Sequence, residues 1–461
     1  MPQAKANPIC RTTPVLTFAA DYRSSHRVKR TLFLLTTGLL FAACTFAAKP
    51  PNVVLIISDD QSWTDYGFME HEAIETPNID RLARQSRLFK RGYVPTSLCC
   101  PSLATLITGL YPHQNGITGN EPPIPSGGKN TDQYRSQVQE CVGFIDTVPT
   151  LPRLLAKRGY VSHQSGKWWQ GHYSRGGFTH GMTHGDPKRR GRHGDEGLKI
   201  GREGLQPIFD FIDDAGDKPF FVWYAPFLPH NPHNPPKRLL DKYTKKTESI
   251  FIARYWAMCE WFDETCGQLL NHLDEKKLAR DTLVIYVTDN GWIQRADNGR
   301  YAPRSKRSPY DGGIRTPIMI RWPGKVQPGE RPELANSIDL APTLLKACGL
   351  EPTDTMQGID LLDDTALAKR KSTHGACYLH NAVDIHKPSA NLTHRWLING
   401  NWKVILPYKA NLTTRDEAKG TGETELYNLA KDPFERRNLA KSKASRVKRL
   451  TKQLNALLPE S

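Results

Sequence analysis

Apolar residues divide the chain into runs that read as buried strands and stretches that read as amphipathic helices. Asn52–Ser58 (NVVLIIS) is a continuous apolar run closed by Asp59-Asp60, the pattern of a strand covered on both faces in a parallel sheet. Thr282–Thr288 (TLVIYVT) repeats that design and ends in Asp289-Asn290-Gly291. Lys218–Ala225 (KPFFVWYA) predicts a third strand, opening into PFLPHNPHNPP, and Tyr160–Gly166 a fourth, ending at Lys167. Helical spacing lies between them, over 148–158, 208–214, 250–278 and 338–348. Strands alternating with helices predict an α/β layer around a mostly parallel sheet. Ligands of such sheets collect beyond the carboxyl ends of the strands. Four of those ends carry Asp, Asn, Lys and His.

After about residue 375 the texture changes. Arg395–Leu406 (RWLINGNWKVIL) is a hairpin pattern around Asn-Gly, and a basic amphipathic helix is expected near Ser445–Leu458. The predicted organisation is a leader over 1–48, a catalytic domain over 49–375 and a small α+β subdomain over 376–461. Within the leader, Arg27-Val28-Lys29-Arg30 precedes TLFLLTTGLLFAACTFAA, the order of a secretory signal. Cleavage is expected near Ala47 or Ala48, giving a secreted or periplasmic protein without stable membrane insertion. Cys44 leaves a lipid-anchored variant open.

Charge narrows the partners. The formal net charge is +16, of which about +11 remains without the leader, so acidic partners are favoured. No nucleic-acid motif accompanies the charge; an anionic polymer or small anion fits better. Seven cysteines remain after the leader, an odd number that leaves at least one thiol unpaired. Cys259 and Cys266 lie on one predicted helix, ~10.5 Å apart in rise, beyond the ~7 Å a disulfide allows between Cα atoms.

The stretch TSLCCPSLATLITGLYPH, residues 96–113, concentrates the candidate chemistry. Pro101 suits a first helical position and Gly109 an exit. Cys99 is thus expected just before a helix N-terminus, where free N–H groups favour an anion or thiolate. Asp59, Asp60, Asp289 and Asn290 are all oxygen donors, a set suited to a hard cation such as Ca²⁺.

Cys99-Cys100-Pro101-Ser102, with Leu106-Ile107-Thr108-Gly109 and Tyr111-Pro112-His113, resembles the activation motif of type I sulfatases, in the alkaline-phosphatase-like superfamily. The resemblance extends through Asn52–Asp60, Thr76-Pro77-Asn78-Ile79-Asp80, Gly166-Lys167-Trp168, Pro229-His230-Asn231-Pro232, Thr288-Asp289-Asn290-Gly291 and Ser305-Lys306. It continues through Tyr310–Gly313, Arg315-Thr316-Pro317, Glu425–Leu429 and Asn438-Leu439. It implies an alkaline-phosphatase-like α/β fold and hydrolysis of sulfate esters, more of carbohydrates than of small aryl alcohols. It also implies a maturation enzyme that oxidises Cys99 to formylglycine. One Ca²⁺ would be held by Asp59, Asp60, residue 99, Asp289 and Asn290. One hydroxyl of the hydrated aldehyde attacks sulfur, and the other expels sulfate. Lys167 and Lys306 would neutralise sulfate oxygens, and His230 would protonate the leaving oxygen, with His233 as a second candidate three residues on.

Two positions depart from the family pattern. Leu103 stands where arginine is usual, which bears on conversion of Cys99. Trp169 stands where histidine is usual, with His172 the nearest alternative imidazole along the chain. The loop 176–197 is rich in His, Arg and Gly; His180, His184 and Arg192 are expected to line a substrate pocket. Two other readings keep the scaffold: phosphate mono- or diester hydrolysis with an unconverted residue 99, and a non-catalytic protein that binds sulfated glycans.

Overall fold

The computed structural model describes residues 49–186, 188, 191, 193–408 and 422–458; the expected leader, 1–48, lies outside the described residues. Among the described residues, thirteen strands form two sheets. The larger contains β1 (Asn52–Ser58), β2 (Arg87–Tyr93), β3 (Val161–Gly166), β4 (His180–Gly181), β5 (Phe220–Ala225), β6 (Thr282–Thr288), β7 (Arg315–Arg321), β8 (Gly329–Glu330) and β9 (Ala335–Asn336). Its order is β4-β3-β5-β1-β6-β7-β2-β8, with β9 also on β2. From β4 to β6 every pairing is parallel, and β7 runs opposite to both of its neighbours. This is the mostly parallel sheet that the apolar runs predict.

β1 is central, and all seven of its residues are buried. Its side chains alternate between faces. Val53, Leu55 and Ile57 pack with Leu106 and Ile107, whereas Val54 and Ile56 pack with Met258, Phe262 and Leu269. Helices therefore cover both faces, which is why the strand is apolar without alternation. The long helix Ile250–Glu275 is capped by Ser249, whose hydroxyl accepts the Ile252 N–H. Leu103 is buried in the first of these clusters, so leucine there serves packing.

The helix at the candidate nucleophile spans Cys99–Thr108, with Leu98 as N-cap and Gly109 closing it at φ 68°. It begins two residues earlier than Pro101 suggests. A proline is tolerated at the third position because none of the first N–H groups has a partner within the helix. The 148–158 pattern contracts to Leu151–Ala156, and 338–348 becomes a short 3₁₀ turn followed by Leu340–Ala347.

The second sheet is antiparallel, in the order β10 (Ser372–Tyr378), β11 (Leu392–Asn399), β12 (Trp402–Pro407), β13 (Glu425–Asn428). The Asn-Gly hairpin joins β11 to β12, and the helix Ala444–Leu457 lays Leu450 and Leu454 on this sheet. Cys259 and Cys266 form no disulfide, and neither do Cys99, Cys348 and Cys377. No helix among the described residues is long and apolar enough to cross a membrane.

Gly166 ends β3 at φ 84°, where a Cβ would sit 1.8 Å from the Ala225 carbonyl oxygen. That same oxygen accepts the Lys167 N–H at 2.6 Å. Gly166→Ala is expected to cost at least about 1–3 kcal/mol and to displace Lys167. Urea unfolding should show a lower midpoint, with turnover reduced further than the unfolded fraction explains.

Candidate active site

Adjacent parallel strands end together, and this assembles the site. β1 and β6 pair in register up to Ser58 and Thr288, so the next residues, Asp59 and Asp289, lie side by side. The Asp289 N–H donates to the Ser58 carbonyl at 2.9 Å, and the Asp60 N–H donates to Asp289 Oδ1 at 3.1 Å. On the other side of β1, β5 leads into the loop carrying His230, held by the Asp59 N–H donating to the Leu228 carbonyl. Beyond it, β3 delivers Lys167. Lys306 arrives from the β6–β7 connection. Cys99 comes from the helix beneath, where Ser102 Oγ donates to the Asp289 carbonyl at 2.5 Å.

The side chains form a buried ionic cluster. Lys167 Nζ lies 2.8 Å and 2.7 Å from the two Asp59 oxygens. Lys306 Nζ lies 2.6 Å and 2.7 Å from those of Asp60. Asn290 Nδ2 donates to Asp60 Oδ1 at 2.6 Å, and His230 Nε2 is 3.3 Å from Asp60 Oδ2. Donor atoms of Asp59, Asp60, Cys99 and His230 all lie within 4.8 Å of one another. Burial pushes Asp59 and Asp289 above the usual carboxylate range against the pull of Lys167. Burial acts likewise on Asp60, but Lys306, His230 and Lys167 together hold it down to about 2.

The donor set fits a hard cation. Three carboxylates face two ammonium groups, leaving the cluster short of positive charge. Asp289 Oδ2 and Asn290 Oδ1 are buried with no hydrogen-bond partner among the described residues. Oxygen-only donation from Asp59, Asp60, Asp289 and Asn290 is what Ca²⁺ prefers.

Cys99 is the first residue of its helix, and burial pushes its thiol up to about 12, outweighing Lys167 and Lys306. The helix terminus alone does not make a thiolate here, because desolvation exceeds what the dipole and the lysines return. For His230, burial and then Lys167 push the imidazole down to about 4. Its ring stacks on Phe227 at 4.3 Å, and Nδ1 is 2.6 Å from the Asn231 carbonyl. A carbonyl only accepts, so Nδ1 carries the hydrogen and Nε2 is left to exchange a proton.

A cavity of about 580 Å³ opens over Cys99, Lys167, His230 and Lys306. Its walls bring in residues that the sequence reading missed: Asn120, Phe227, Trp292, Arg295, Arg300 and His380. Asn120 accepts the Cys100 N–H at 3.0 Å. Trp292, Arg295 and Arg300 lie between Asn290 and Lys306, and that bracketing was the available signal. His172, His180 and His184 do not line this cavity. His180 sits exposed on edge strand β4 near Phe211. The His184 N–H is tied to Asp195, and its ring lies against His172 and Tyr173. The imidazole beside Trp169 comes instead from His193, 4.3 Å away ring to ring, and both line the cavity. His233 stands behind the wall, edge-on to Trp292. Arg192 lies outside the described residues.

A sulfatase family model matches residues 51–350, and one described as N-sulphoglucosamine sulphohydrolase, C-terminal, matches 299–460. Arylsulfatase A of Bos taurus is 30% identical over 398 residues, covering 76% of this chain and 74% of the relative. N-acetylgalactosamine-6-sulfatase of Homo sapiens is 29% identical over 444 residues, covering 85% and 81%. The crystal structure of a sulfatase from Pseudoalteromonas sp. superimposes with a TM-score of 0.67 at 22% identity, covering 89% of this chain and 90% of that one. The fold is that of the alkaline-phosphatase-like hydrolases. The chain belongs to the sulfatase family and is a sulfuric ester hydrolase.

Calcium added to chelator-treated protein should raise its thermal midpoint by mass action. Asn290→Ala should remove most of that shift. An unchanged midpoint in the parent protein would show that these oxygens form no cation site.

Proposed function

We propose that this sulfatase removes sulfate from sulfated carbohydrates, using residue 99 oxidised to formylglycine and a single Ca²⁺. The observation that carries the reading is convergence: a charge-deficient oxygen cluster, the side chain of residue 99 and two lysines meet beneath one open cavity. The carbohydrate preference draws on the positive net charge and on relatives named for N-acetylgalactosamine-6-sulfate chemistry. The signal-like segment over 1–48 fits action outside the cytoplasm. Conversion of a thiol to an aldehyde is an oxidation, so a maturation enzyme is a required partner.

Asp59, Asp60, Asp289 and Asn290 are the residues that would hold calcium, which supplies Lewis-acid polarisation and positive charge when bound. As a hydrated aldehyde, residue 99 would offer two hydroxyls: one would lose its proton and bond to sulfur as the ester S–O bond breaks, and the other would then lose its proton, re-forming the C=O as the C–O bond to sulfate breaks. Lys167 and Lys306 then do what their placement allows. Their ammonium groups, which lie on Asp59 and Asp60, would hold sulfate oxygens as negative charge grows, with a bound cation taking over part of the carboxylate charge. As the ester S–O bond breaks, the electron pair leaves on the alcohol oxygen, and His230 Nε2 delivers the proton it needs. A bound sulfate ester adds negative charge beside the imidazole and counters the lowering by burial and Lys167. Turnover should therefore fall as pH rises through the pKa of His230 in the complex.

The peptide containing residue 99 should carry an aldehyde in mass analysis, and the same preparation should release inorganic sulfate from a sulfated saccharide. A thiol at 99 in active enzyme would overturn the nucleophile assignment. A thiol with phosphate release would favour phosphate ester hydrolysis, and tight glycan binding without turnover a binding protein.

His230→Ala should lower kcat on a sugar sulfate by about 10²–10³. The loss on p-nitrophenyl sulfate should be far smaller, because a nitrophenolate departs without protonation. Equal losses on the two would remove His230 as the acid.

A further inference from the structure

The Gly291–Arg304 segment leaves the site at Asn290 and returns to it just before Lys306. It is a hairpin-like loop. The Arg295 N–H donates to the Arg300 carbonyl at 3.1 Å, the Ala302 N–H to the Ile293 carbonyl at 2.7 Å, and Gln294 bridges Tyr301. Buried Gln294 braces the turn from within. Its Nε2 donates to the carbonyls of Arg295 at 2.9 Å and Asn298 at 2.7 Å, while its Oε1 accepts the Trp292 indole N–H at 3.0 Å. The loop is thus built before any substrate arrives.

Arg295 and Arg300, hydrogen-bonded backbone to backbone, both line the cavity. Asp297 clamps Arg295 through Nε at 2.8 Å and Nη2 at 2.6 Å. The Arg300 guanidinium is exposed and has no side-chain hydrogen bond or ion pair among the described residues. No Asp or Glu belongs to the described cavity lining. The cleaved sulfate has its own cations in Lys167 and Lys306, so Arg300 is surplus to the reaction.

A guanidinium on a braced loop, in the wall of a cavity whose lining holds no Asp or Glu, is a two-pronged receptor for an oxyanion. We propose that Arg300, with Arg295 beside it, binds a second anionic group of the substrate, apart from the ester that is hydrolysed. The group is an oxyanion, either the carboxylate of a uronic acid or another sulfate. The proposal deepens the carbohydrate-sulfatase reading and rests on it. It makes the enzyme selective for polyanionic saccharides over singly sulfated ones.

The test uses the full chain and three saccharides sharing one cleavable sulfate: one with no other charge, one with a uronate, and one with a second sulfate. Wild-type kcat/KM should favour at least one doubly charged saccharide, and which one is favoured identifies the oxyanion. Arg300→Ala should cut that preference about tenfold, mainly through KM, and Arg300→Lys should restore part of it. A wild type with no preference, or a variant equally impaired on all three, would overturn the proposal. If the wild type hydrolyses none of them, the carbohydrate-sulfatase reading falls. Calorimetric binding of the same saccharides then still decides: weaker binding of only the doubly charged ones by Arg300→Ala supports the anion site, and unchanged binding removes it.

Discussion

The pairing of β1 with β6 is the constraint on which the rest depends. Because these strands stay in register to their last residues, two carboxylates are forced together at the ends of two fully buried strands. Burying like charges side by side is costly unless opposite charge is brought to them. The fold brings it from two separate places: Lys167 from the end of β3 and Lys306 from a loop more than two hundred residues beyond Asp60. The apolar strands and their helical covers hold this unfavourable cluster in place.

Much of this was legible in the sequence, for a physical reason. A strand covered on both faces has little room for polar side chains, so β1 and β6 are marked by apolar runs, and their observed bounds coincide with those runs. Residues at the ends of such strands inherit a location with little ambiguity. That is why Asp59, Asp60, Lys167, Asp289 and Asn290 were found together. The cavity rim was less legible. Asn120, His193 and His380 reach it along irregular segments, where no periodicity reports direction. His180 and His184 shared a promising composition with His193, but β4 and the Asp195 turn fix their directions. Composition identified the loop; only its backbone path selects which imidazole meets the cavity.

Cys99 shows two effects of opposite sign. Its position at a helix start and near two lysines favours negative charge, yet a side chain 1% exposed loses more from desolvation than these groups return. An unmodified thiol in this setting is a poor nucleophile near neutrality. A neutral, hydratable carbonyl would escape that penalty, so the proposed oxidation of this residue would have a physical motive beyond family likeness.

The loop between β6 and β7 is pinned near both ends, by Asn290 at the Asp60 carboxylate and by the Arg307 N–H on the Ser97 carbonyl. Its span is therefore dictated by the reaction centre, whereas the residues at its tip answer to no such demand. Over evolutionary time such a strap can change its exposed tip, in side chains or in length, while the moorings and the internal brace at Gln294 stay. Divergence among enzymes built this way would then be concentrated at the tip.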